Sequence, residues 1–127
     1  MNYSDKIFRF GNFERPLDLS DCDLLDTWES AMKTFSDAAM HAEQFRKTGR
    51  RMRAMADALM TVFDTVFGNG SANELFGESV DLTRVLDAYD ALLQCGTPQV
   101  QAMTSRLQQF QEKYAPKPSP VKLPLTR

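Results

Sequence analysis

The residues able to do chemistry are few. His41 is the only histidine, and Cys22 and Cys95 are the only cysteines. His41 falls off the apolar stripe of its helix, with Asp37 one turn back, and reads as a solvated surface residue. Cys22 has no base nearby in sequence to activate it. Two cysteines without CxxC spacing and one histidine do not compose a zinc set. Both cysteines read as small, partly buried hydrophobes of a reduced compartment. Asp21, Asp23 and Asp26 lack the glycine and closing glutamate of a calcium loop, and read as acidic charges at a helix start. Gly68, Gly70 and Gly77 lack the Gly-Lys-Ser/Thr of a phosphate loop and read as helix stops. No enzyme, cofactor, metal or small-molecule substrate is expected.

Charge is uneven although the net is −2. Arg46, Lys47, Arg50, Arg51 and Arg53 cluster between two acidic stretches. Without interleaved aromatics this cluster is a poor phosphate binder. It reads as a cationic helix end meeting acidic neighbours, and no nucleic-acid partner is expected. With 43% hydrophobic and 25% charged residues the composition is that of an ordinary soluble protein. No apolar run reaches the ~18 residues of a membrane span and no signal pattern opens the chain, so a cytoplasmic protein off the membrane is expected.

The features left over are apolar surfaces. Val100, Met103, Leu107, Phe110 and Tyr114 recur at steps of three, four, three and four, a narrow heptad-like seam on an otherwise polar, Gln-rich helix. Such a seam either docks onto the rest of the fold or is shared with a second copy or a partner helix. The chain also has 7 methionines, side chains suited to adaptable apolar contacts. Met52 and Met55 lie on a core stripe, whereas Met40 falls on a polar side and is a candidate for an exposed patch. The candidate partner-binding residues are therefore Val100, Met103, Leu107, Phe110, Tyr114 and Met40.

These residues need elements to hold them, and the periodicity predicts a mainly α domain of about five helices with a short N-terminal β-hairpin. Lys6–Phe10 alternates, Gly11-Asn12 is a turn, and Phe13–Leu17 returns, with Pro16 making an edge strand, so the hairpin spans about 6–17. Ser20 or Asp21 caps a first helix whose stripe is Leu24, Trp28, Ala31, Phe35, Ala39 and Ala42. Gly49 breaks or kinks it. A second helix runs from about Arg50 to Phe67 with Met52, Met55, Leu59, Val62, Phe63 and Val66 inward, and Gly68 is its left-handed stop. Ser71 and Glu74 form a capping box for a short third helix through Phe76. Asp81 caps a fourth, with Leu82, Val85, Leu86, Tyr89, Leu92 and Leu93 inward, ended by Gly96. Thr97-Pro98 opens a fifth. One helical domain over 1–115 and a disordered Pro/Lys-rich tail over 116–127 follow.

From about Lys6 to Leu93 this pattern resembles small tail assembly chaperone-like proteins from the tail modules of phages and prophages of Gram-positive bacteria. The match is carried by the short β element, the helix from near Asp21, the helix ending Phe63-Asp64-Thr65-Val66-Phe67-Gly68, the turn Asn69-Gly70, the Ser71-to-Phe76 helix, Gly77, and the helix through Leu82, Ala88 and Leu93. The resemblance implies a protein of the host cytoplasm that coats the helical tape-measure protein during tail morphogenesis, self-associates and then leaves, in some cases with a longer frameshifted form. Two other readings stay open. One is a structural tail or connector component; the other is a phage-encoded inhibitor of a host defence protein. The chain departs from the pattern after Gly96.

Overall fold

In the computed structural model, which describes residues 6–114, the hairpin comprises β1 (Ile7–Phe10) and β2 (Phe13–Pro16), paired antiparallel with Phe10 opposite Phe13 and Ile7 opposite Pro16. Gly11 has φ +60° and Asn12 does not have positive φ. A type II′ turn needs that dihedral at its first central position, which is why glycine stands there. The Leu17 N–H donates to the Lys6 carbonyl at 2.7 Å. Bonded and unbonded pairs alternate along an antiparallel ladder, so Phe8 and Phe10 bond to β2 while Ile7 and Arg9 do not. Pro16, opposite Ile7, therefore sits where no ladder N–H is required.

Four helices follow: α1 (Cys22–Ala42), α2 (Thr48–Phe67), α3 (Ser71–Phe76) and α4 (Leu82–Tyr114). Asp21 caps α1, accepting from the N–H groups of Asp23 and Leu24, and Asp81 does the same for Thr83 and Arg84 at the start of α4. Trp28, Ala31 and Ala42 are buried on α1, with Leu24, Phe35 and Ala39 half-buried beside them. Gly68 ends α2 with φ +109°. None of these helices is long and apolar enough to cross a membrane.

The hairpin is held by an aromatic cluster. Phe8 lies 5.3 Å from Phe67, 5.9 Å from Phe63 and 6.0 Å from Phe13 between ring centroids, and Phe63 meets Phe76 edge-on at 5.5 Å. Burial of each such side chain stabilises the fold by ~1.5–3 kcal/mol, and the edge-on pairs add to that. A two-stranded hairpin is marginal alone; here the α2 and α3 phenylalanines supply its missing partner.

Several expectations are corrected. The fourth and fifth helices are one continuous helix, so the described residues form four helices and not five. Gly96 is buried inside α4, where an added Cβ would stand 2.7 Å from Cζ2 of Trp28. The glycine makes room for an indole and does not end a helix. Pro98 lies within α4 and not at its start. The α1–α2 break falls over residues 43–47, ahead of Gly49, which occupies the first turn of α2. Met52 is exposed and not core, whereas Met55, about one turn further on, packs against the core, and Leu86 faces outward. The capping box is not used. Ser71 is already helical, the α3 cap is Gly70, and Glu74 pairs with Arg15. The free N–H of Ala72 is satisfied instead by Asp64 Oδ1 at 2.9 Å, whose backbone carbonyl also accepts from Gly68. The expected tail over 116–127 lies outside the described residues.

Candidate interaction surface

The seam residues divide along α4. Val100 and Met103 are half-buried and pack against the core. Leu107, Phe110 and Tyr114 are 57%, 58% and 63% exposed, and every residue from Thr104 to Tyr114 is exposed. The cause is a difference in reach. Trp28 meets Gly96, Phe35 meets Tyr89 at 5.2 Å between ring centroids, and the Tyr89 hydroxyl donates to Met32 Sδ at 3.4 Å. These contacts set α1 antiparallel to α4. Residues beyond Met103 run past the first residue of α1, and roughly 16 Å of helix, at 1.5 Å per residue, stands clear of the core. Within this overhang the Phe110 and Tyr114 rings touch at a tilt of 49° with centroids 4.8 Å apart, and the Lys113 ammonium lies 5.2 Å from the Tyr114 ring.

Met40 is 68% exposed but belongs elsewhere. The same antiparallel register sets it level with the first turn of α4, about 40 Å along the helix from Phe110. The six sequence candidates are thus two half-buried residues, three exposed ones on a single overhang, and one methionine at the far end.

A second feature had no sequence signal. A groove of about 950 Å³ opens between β1 and the stretch of α4 from Ala91 to Arg106. Its floor joins the hairpin to the helix through Gln99. The Gln99 Oε1 accepts from the Leu19 N–H at 2.9 Å, and its Nε2 donates to the Leu17 carbonyl at 2.8 Å and to the Cys95 carbonyl at 3.1 Å. Leu17 and Leu19 are fully buried, so this one amide anchors the strand-to-helix connection. A lone glutamine on a polar helix face is indistinguishable in sequence from any solvated one.

The other chemistry-bearing residues are scattered. His41 is exposed and its ring lies edge-on to Phe45 at 5.6 Å. Cys95 is half-buried, but Cys22 is exposed at the start of α1 and is not the small hydrophobe expected. No group of three acidic, histidine or cysteine side chains able to hold a metal ion occurs among the described residues. The five cations of 46–53 are all exposed, and none forms an ion pair among the described residues, so the expected acidic neighbours are not at hand. Arg51 donates to the Phe45 carbonyl and Arg50 lies over the Phe45 ring, which ties the α1–α2 connection down.

The profile of a family of unknown function (DUF6673) matches residues 11–122. The chain belongs to this family. The matched region takes in β2, the four helices of the described residues and the overhang. No curated protein and no solved structure matches the chain.

Proposed function

We propose that this protein is a phage tail assembly chaperone that binds the tape-measure protein during tail morphogenesis in the host cytoplasm, self-associates, and carries no catalytic site. The observation that supports this reading most directly is the overhang of α4. It offers Leu107, Phe110 and Tyr114 on one face of a formed helix, next to the half-buried Val100 and Met103. A tape-measure chain presents long apolar helical stripes, and a helix seam of this width covers such a stripe reversibly. The order of helices and glycine stops through Gly77 further supports it.

The test is co-expression with the long helix-rich reading frame expected beside the gene. The wild type is expected to keep that product soluble and to co-purify with it. Leu107→Asp and Phe110→Asp should abolish co-purification while leaving the thermal melt within a few degrees, since both side chains are exposed. Unfolding of these variants would make the seam core and overturn the assignment. Mass spectrometry that found the protein in purified virions would also overturn it, in favour of a structural tail component.

A further inference from the structure

The groove between β1 and α4 is bordered by Lys6 and by three consecutive strand residues, Ile7, Phe8 and Arg9. Side chains alternate across a strand, so three strand residues in a row border one groove where it runs along the strand's edge. The ladder makes this edge a hydrogen-bonding one. Ile7 and Arg9 occupy the unbonded positions opposite Pro16 and Glu14, so their N–H and C=O groups point away from β2. The sheet has two strands only, and no further strand covers β1 among the described residues. The facing wall contributes Ala91, Ala102 and Met103, small or pliant apolar side chains that leave space beside the edge.

Charge selects the occupant. Lys6, Arg9 and Arg106 line the groove and no acidic residue does. Lys6 makes a part-buried pair with Asp18 and Arg9 an exposed one with Glu14, each at 3.2 Å, while Arg106 has no ion-pair partner among the described residues. We infer that this groove takes an extended, carboxylate-bearing peptide segment as a third strand on β1, its apolar side chains toward α4 and its carboxylates toward Arg9 and Arg106. Main-chain bonds to Ile7 and Arg9 supply the register, and the cations select the sequence. The site takes Arg106 from the start of the α4 overhang but none of Leu107, Phe110 and Tyr114, and it does not rest on the tape-measure reading.

The test uses three fluorescein-labelled nine-residue peptides. One alternates Val and Glu, one alternates Val and Lys, and one is the Val/Glu peptide N-methylated at every second residue. Fluorescence anisotropy is expected to give saturable binding of the first and at least ten-fold weaker binding of the other two. Amide exchange at Ile7 and Arg9 should slow at least ten-fold in the first complex. Arg106→Glu, on an exposed face, should keep the melt unchanged and weaken the Val/Glu peptide at least ten-fold. Absence of binding by the Val/Glu peptide, or equal binding after N-methylation, would overturn the inference. So would slowed exchange at Leu107 to Tyr114 in place of Ile7 and Arg9. None of these results bears on co-purification with the tape-measure protein, so the two readings fail separately.

Discussion

The indole of Trp28 lies against the Cα of Gly96, leaving no space for even a methyl group between α1 and α4. Both residues are buried.

Gly96→Ala sets two effects against each other. Alanine in a helix interior gains up to about 1 kcal/mol over glycine. Forcing a methyl into a packed aromatic costs about 1–3 kcal/mol. The clash is with a buried ring and not with the end of a flexible chain, so the clash wins. Urea denaturation should show Gly96→Ala to be less stable than wild type. A Trp28→Phe background, which removes the obstructing ring, should shrink or reverse that loss. Equal losses in both backgrounds would show that the contact is not the cause.

Gln99 holds the connection between hairpin and α1 from a distance of eighty residues in sequence. Gln99→Ala leaves the Leu19 N–H and the Leu17 carbonyl without their partner, and should cost about 1–3 kcal/mol. Gln99→Glu keeps the acceptor but turns a carboxylate toward the Leu17 carbonyl, raising its folded pKa above the ordinary glutamate value of about 4.3. Stability in this variant is then present below that value and is lost as pH rises through the folded pKa. Denaturation midpoints for Gln99→Glu should fall between about pH 4 and about pH 7 relative to wild type. A flat difference would show that the amide is not needed as a donor.

Tyr89 carries the alkaline limit. Its burial between α1 and α4 pushes the phenol above its ordinary value near 10. The folded state therefore resists forming phenolate. Its contribution is complete below that value and is lost as pH rises through the folded pKa. Wild type should lose more stability than Tyr89→Phe between about pH 8 and about pH 11, with the two nearly equal at neutral pH. Parallel curves would remove Tyr89 from the account.

Local signals were legible wherever the chain decides by itself. Gly11-Asn12 marks the hairpin turn, Asp21 and Asp81 mark helix starts, and Gly68 marks a stop, because each acts on backbone groups a few residues away. The same residue types misled where the partner is remote. Gly96 followed by Thr97-Pro98 has the grammar of one helix ending and another beginning, yet the glycine answers to an indole sixty-eight positions earlier. Ser71 and Glu74 spell a capping box, but Asp64 fills that place first because α2 ends beside α3. Of the surface candidates, the seam's spacing was readable and its division at Met103 was not. That division depends on where α1 begins relative to α4, which no periodicity encodes. The β1 edge and the Gln99 anchor left no pattern at all, since both arise from segments folded together.

The continuity of α4 has a consequence for recognition. Winding a first helical turn is the unfavourable step, and a segment that merely prolongs an existing helix is spared it. Under the proposed function, the last eleven residues of α4 meet a partner as a rod already coiled, with the Phe110 and Tyr114 rings already in contact. Docking then freezes fewer torsions than it would in a peptide that coils only on contact, so a given apolar area yields tighter capture. A proline introduced near Met103 would sever that inheritance and loosen the grip without removing a single contacting side chain.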